Sequence, residues 1–422
     1  MVLLAAAIFV IALAVIAFEW VHRTKVALLG AGSMVVLGVL DEDRAIEAVD
    51  WGTLGLLTGM MILVGLTERT GVFTYVALRV AQLSAGRPGR LVFLLAGVTA
   101  VLSAFLDNLT AILLVVPITL LLADILAISA IPLVLIQVMA CNIGGTATLI
   151  GDPPNIMIGS HVRELTFVDF IVNLAPVAIV TLALVTALLY LVFRSELAIL
   201  PERAAEIVAL DPARDVRQSR HVKRSVAVLL GTILAFFFHS ALGLEPAVVA
   251  LGGATILLLV AADDVEDALE RVEWSTIFFF LGLFVMVGGL EERGIVADIA
   301  DLLAELTGGS PTGEGLVILW GAAGGSALVD NIPFTAAMIP VVDELQGGEF
   351  DDANDANWWA LALGACFGGN ATMIAAAANV AATGVLERSG HPVSFGRFLA
   401  IGAPVTLISL AVATVYLLLF QL

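Results

Sequence analysis

Positive charge is scarce in this chain. Of 422 residues only 19 are Lys or Arg, against 38 Asp or Glu, and the net charge is -19. No Lys or Arg falls between Leu91 and Val162, or between Gly294 and Glu387. Without a basic or aromatic face the chain offers nothing to nucleic acid. It holds two cysteines, Cys141 and Cys366, both in apolar sequence. That argues against a disulfide framework or a cysteine metal site and for a packing role. Charged residues make up only 14% and hydrophobic residues 60%, with a mean hydropathy of +1.05, too apolar for a soluble globular protein.

The apolar runs are long. Val2 to Phe18, Trp51 to Leu66, Val168 to Phe193, Val226 to Phe238 and Pro404 to Phe420 approach or exceed the roughly 20 residues that cross a bilayer as helix. They do not alternate as barrel strands would. The opening run lacks a basic n-region and a small-residue cleavage site, so it reads as a span rather than a leader. The reading is an all-α polytopic membrane protein whose partners include membrane lipid.

The chain repeats itself. Asp50 to Phe73 aligns with Glu273 to Val296, Ser103 to Ile118 with Ser326 to Val341, and Phe167 to Phe193 with Phe395 to Phe420. This predicts two homologous halves, 1–193 and 222–422, joined by a charged cytoplasmic linker at 194–221. Each half reads as five spans, near 1–19, 26–40, 51–67, 131–160 and 168–193, and again near 222–241, 244–262, 273–290, 357–385 and 395–421. Between the third and fourth lie an amphipathic segment and an apolar hairpin that returns to its starting side. An odd number of crossings inverts the second half relative to the first. With both termini outside, sixteen of the nineteen Lys and Arg residues fall on the inner side, as the positive-inside rule demands in an inner, plasma membrane.

Polar residues recur where a membrane segment should have none. An ionisable or strongly polar group at the bilayer centre costs about 2.5 to 3.5 kcal/mol on insertion scales and marks a pathway for ions or substrates. Asp107 and Asn108, and again Asp330 and Asn331, sit at the tips of the hairpins. They can offer carboxylate and amide oxygens to a cation such as Na+, or carry a proton; capping the following helix is the competing role. Gly144, Gly145, Thr146 and Thr148 pair with Gly368, Gly369, Asn370 and Thr372 in the fourth span of each half. There paired glycines break the helix, or else allow close helix packing. Asn142 precedes the first pair, where the second half has Cys366. Asp152, before two prolines, is an ion ligand or an ordinary helix cap, and its counterpart is Ala376. Asn155 and Asn379 recur at one place. Inverted repeats with helices broken near mid-membrane are a common plan of secondary transporters.

The stretches FLDNLTAILLVVPIT, NIGGTATLIGDPPNIMI, LVDNIPFTAAMIPV and ALGACFGGNATMIAAAANV resemble the ion transporter superfamily over nearly the whole chain. The likeness is strongest to its citrate transporter-like branch, with arsenite permeases, NhaD-type sodium/proton antiporters and the melanosomal P protein. It implies that Asp107, Asn108 and Thr110, with Asp330, Asn331 and Thr335, stand where dicarboxylate/sodium symporters carry Ser-Asn-Thr and bind sodium. It also implies a homodimer with a scaffold and a moving transport domain. The expectation is a secondary active transporter coupled to H+ or Na+, with no other cofactor, moving a small anion or oxyanion of arsenite or carboxylate type by alternating access. A cation-only Na+/H+ antiporter, a passive anion channel and an intramembrane aspartyl protease are the other readings. The last lacks the Gly-x-Gly-Asp signature.

Overall fold

A computed structural model describes residues 1–18, 20–198, 203, 219–261, 265–347 and 355–422, so most of the 194–221 linker lies outside the described residues. Every regular element among them is helical. The first half runs α1 (Val2–Ala17), α2 (Arg23–Val36), α3 (Glu42–Glu47), α4 (Trp51–Glu68), α5 (Val72–Leu83), α6 (Pro88–Phe105), α7 (Asn108–Leu126), α8 (Ala130–Gly145), α9 (Pro153–His161) and α10 (Phe167–Phe193). The second runs α11 (Ser219–Phe238), α12 (Pro246–Ala261), α13 (Val265–Leu269), α14 (Trp274–Glu291), α15 (Ile295–Thr307), α16 (Pro311–Val329), α17 (Asn331–Leu345), α18 (Ala356–Gly368), α19 (Ala377–Arg388) and α20 (Phe395–Phe420). Eight of these, α4, α6, α7, α10, α11, α14, α16 and α20, are long and apolar enough to cross a membrane.

The helices begin and end where local chemistry dictates. Asp50, Asp107, Asp330 and Ser394 cap the helices that follow them, and Thr166 forms a capping box with Asp169 before α10. Pro88, Pro153 and Pro311 stand in first turns, where proline costs no hydrogen bond. Gly71 and Gly294, at φ 75° and 73°, make the same left-handed entry into α5 and α15 in the two halves.

Packing follows the duplication pair by pair. α4 lies against α12, and α14 against α2; α7 lies against α19, and α17 against α9. Each half therefore reaches into the other by the same contacts. The crossings agree in detail: a Cβ on Gly59 would meet the Ala250 backbone at 2.7 Å, and one on Gly282 the Ala27 backbone at 2.6 Å. α8 and α18 are buried almost all round and form the centre, as helices apolar on every face must be.

Candidate functional site

The expected fourth spans are indeed broken. α8 ends at Gly145 and α9 starts at Pro153; α18 ends at Gly368 and α19 starts at Ala377. Backbone so unwound needs partners, because an unpaired buried peptide group costs about 1–3 kcal/mol. In the first break the Asn155 amide donates to the Thr146 carbonyl at 3.0 Å and the Thr148 carbonyl at 2.8 Å. In the second, Asn379 donates to Gly369 at 2.7 Å and Thr372 at 2.8 Å. The Thr148 hydroxyl binds the Ala104 carbonyl of α6, and Thr372 binds Ala327 of α16 at 2.8 Å. These hydroxyls are thus spent on tying breaks to hairpins. Thr146 and Thr335 are spent on their own helices, on the Asn142 and Asn331 carbonyls at 2.8 and 2.7 Å.

The paired glycines divide in role. A Cβ on Gly144 would strike the Ala100 backbone, and one on Gly368 the Ala323 carbonyl at 2.6 Å, so both serve close helix packing. Gly145 is different: a Cβ there would strike the Asn108 Oδ1 at the hairpin tip. Gly369 tops α18 and lends its carbonyl to Asn379.

The tips come down on the breaks. The Ser103 hydroxyl donates to Asn108 Oδ1, and the Asn331 N–H donates to the Ala375 carbonyl at 3.2 Å. Asp107 caps α7, accepting from the Leu109 and Thr110 N–H groups at 2.9 and 3.1 Å. Asp330 caps α17 through the Ile332 N–H at 3.1 Å. Asp330 holds φ 132°, strained for a residue with a Cβ, whereas Asp107 sits at -67°.

The halves meet at this level. Asn142 donates to Asn370 Oδ1 and Asn379 Oδ1, both at 3.0 Å. At the mirror position the Cys366 thiol lies 3.7 Å from Asn155 Oδ1. Asn331 Nδ2 donates to Asp152 Oδ1 at 3.1 Å. Asp152 makes no side-chain cap to α9, so the capping role fails for it.

Two charged residues at the site are absent from the motifs. Arg23, at the start of α2, places Nη1 3.4 Å from Asp330 Oδ2 and lies over the Phe279 ring. Glu273, before α14, lines the same space and accepts from the Thr276 hydroxyl. A cavity of about 40 Å³ is lined by Arg23, Asp107, Asn108, Asp152, Glu273 and Asn331 among others. It shares Arg23, Leu109 and Ala377 with a cavity of about 520 Å³ that reaches Asp330. On its other side it shares Met61 and Glu273 with one of about 170 Å³ that reaches Thr110 and Arg271. A further cavity of about 320 Å³, beside Ser160, Arg163 and His239, touches none of the paired Asp and Asn residues.

The residues around the smallest cavity include the first turns of α7, α9, α17 and α19. Helices interrupted at a polar cavity inside an apolar bundle are the mark of a membrane transporter. The comparisons agree. A citrate transporter family model matches residues 13–364. An uncharacterized transporter of Mycobacterium bovis is 42% identical over 99% of this chain and 98% of its own length. The human P protein is 33% identical over 96% of this chain, which spans 58% of that relative. In fold, the crystal structure of the YdaH transporter of Alcanivorax borkumensis matches 95% of this chain and 97% of its own, with a TM-score of 0.59 at 18% identity. The chain belongs to the citrate transporter family. It is an integral membrane transporter and not an enzyme, so the protease reading falls.

Proposed function

We propose that this protein is a secondary active transporter coupled to H+ or Na+, moving a small anion or oxyanion of arsenite or carboxylate type by alternating access. One observation carries this: four helix N-termini and the carboxylates of Asp107, Asp152 and Glu273 face a single cavity. Each helix N-terminus carries about half a positive charge, which suits an anion. The carboxylates suit the cation that would travel with it. Arg23, shared by the largest and the smallest parts of the crevice, gives the anion a direct partner.

The halves form an inverted repeat in this reading, with both termini outside and linker 194–221 in the cytoplasm. Arg23 and Glu273 then open the crevice inward. On the opposite side, Asp50, the repeat mate of Glu273, accepts from the Ser160 hydroxyl of α9 at 2.7 Å. α1 to α4 with α11 to α14 serve as scaffold, and two copies pair as a homodimer.

The surplus of carboxylates over Arg23 and Arg271 supports a second reading, a Na+/H+ antiporter. Proteoliposomes decide between them. With an imposed Na+ or pH gradient, labelled citrate or arsenite accumulates beyond equilibrium if the first reading holds. Sodium-driven proton movement without either anion supports the second. Anion flux that only equilibrates, whatever the ion gradient, means a passive channel and overturns both.

A further inference from the structure

The duplication relates cavities as well as helices. The cavity of about 320 Å³ is walled by His239, Leu244, Glu245 and Pro246 ahead of α12, and the cavity of about 520 Å³ by Ile16, Val21, His22 and Arg23 ahead of α2. Residue for residue these are repeat mates, in the register that pairs Ala250 with Ala27 and Glu273 with Asp50. The facing walls belong to the mated helices α9 and α19, but they are not in the same register. The α12 side meets the far end of α9, at Gly159, Ser160 and Arg163. The α2 side meets the near end of α19, at Ala377, Val380 and Ala381, whose mates are Pro153, Ile156 and Met157.

One ion pair marks the register on the first side: Arg163 Nη1 lies 2.9 Å from Glu245 Oε1. The mate of Glu245 is His22, and the mate of Arg163 is Glu387. Acid and base have changed places, so the attraction between the two positions is kept. His22 suits it. Its Nδ1 accepts from the Thr24 N–H at 3.4 Å as the cap of α2, so the neutral ring carries its proton on Nε2, a donor for a carboxylate. Glu387 is exposed and shares one face of α19 with Val380 and Gly384, at the i, i+4, i+7 spacing.

We infer that His22 and Glu387 form the alternative to the Arg163 and Glu245 pair, made when α19 slides about six residues, or about 9 Å, past the start of α2. The second half then has the register that the first half shows here. Because Asn142 joins the two breaks at 3.0 Å, α9 and α19 travel together, and the slide that brings Glu387 to His22 draws Arg163 away from Glu245. Both members of the Arg163 pair are exposed, so solvent screening makes it weak enough to part. This inference rests on the alternating-access reading, yet its test reads contacts and not flux.

Cysteine pairs report the two contacts in membranes, because the native Cys141 and Cys366 are buried out of reach of a soluble reagent. With a short thiol-to-thiol cross-linker, Arg163→Cys with Glu245→Cys should link, and so should His22→Cys with Glu387→Cys. In the variant carrying all four changes, mass spectrometry should find either link and never both in one chain. Positions 22 and 387 failing to link while 163 and 245 do, or both links in a single chain, would overturn the contact. If these variants do not fold, charge reversal takes their place, read by the rate at which a maleimide labels Ala381→Cys in the cavity wall. Glu387→Lys should at least double that rate, and His22→Glu added to it should restore the rate of Ala381→Cys alone. A double charge variant that labels as fast as Glu387→Lys would again overturn the contact. Mutually exclusive links without ion-driven flux in vesicles would leave the contact standing and remove the transport reading; ion-driven flux with no link between 22 and 387 would do the reverse.

Discussion

The break between α8 and α9 and the break between α18 and α19 are built alike and equipped differently. In both, a following asparagine, Asn155 or Asn379, sews two carbonyls of the unwound segment together. A threonine, Thr148 or Thr372, ties each segment to its hairpin. These bonds are required wherever a chain leaves the helix inside a bilayer, so both copies keep them. The differences fall elsewhere. Asp152 faces Ala376, Asn142 faces Cys366, and the Asp107 backbone is relaxed where Asp330 is strained. Symmetric residues build the broken helices. The asymmetric ones give the site its chemistry.

The comparison breaks first at Asp152. Asp152→Asn keeps the size of the side chain and its place beside Asn331 but removes the charge. Ion-coupled flux in proteoliposomes should fall at least 100-fold, about 2.7 kcal/mol at the rate-limiting step. A variant that transports at wild-type rates would show that the asymmetry at 152 and 376 is idle.

The stitching asparagines should behave as equals. Asn155→Ala and Asn379→Ala each strand two buried carbonyls, at about 1–2 kcal/mol apiece, and should lower stability in detergent by about 2–4 kcal/mol. Thermal unfolding of both variants measures this. A large loss in only one would mean that the two breaks are not built alike. Gly144→Ala and Gly368→Ala come next, at about 1–3 kcal/mol each, because the new methyl meets backbone that has no rotamer to move.

The Asn142 and Cys366 pair sharpens the comparison at lower cost. Asn142→Ala removes three bonds across the halves and leaves the Asn370, Asn379 and Gly369 oxygens without that donor, about 1–3 kcal/mol. Cys366→Ala removes a small side chain whose thiol makes only weak contacts, to Asn155 and beside Asp152, and should cost less, about 1 kcal/mol. Equal losses would mean that the central contact is packing and not polar.

Helix positions were legible because apolar runs are punctuated by chemistry that has few other uses. Apolar runs, the internal repeat and glycine pairs at a break predicted elements that match the structure within a few residues. The tips were legible for the same reason: Asp-Asn inside an apolar hairpin has no role in lipid. The partition of roles among those residues was not. Asp152 before two prolines reads equally as a cap or an ion ligand, and only the fold shows Asn331 holding it from 179 residues away. Gly144 and Gly145 are adjacent in sequence, yet one packs against α6 and the other makes room for Asn108. Glu273 carried a signal that motif searching passes over, since an acid precedes Trp in both copies, at Asp50 and Glu273. Arg23 carried none, because a basic residue in a loop reads as a mark of topology.

Arg23 offers the smallest and most discriminating change. It pairs with the strained tip, Asp330, while the repeat mate of Arg23 is Pro246, which offers no cation to the other tip. The Arg23 side chain is 25% exposed, and such a pair contributes about 0–1 kcal/mol. Arg23→Gln should therefore leave the unfolding midpoint nearly unchanged. Its effect belongs to transport: with the guanidinium gone, the anion loses its direct partner in the crevice, and the apparent KM for anion should rise about tenfold with little change in maximal rate. A change in maximal rate at constant KM would instead make Arg23 a latch on the hairpin. In either case the two tip aspartates are held by different forces, Asp107 by cap bonds and Asp330 by a cap bond and an ion pair.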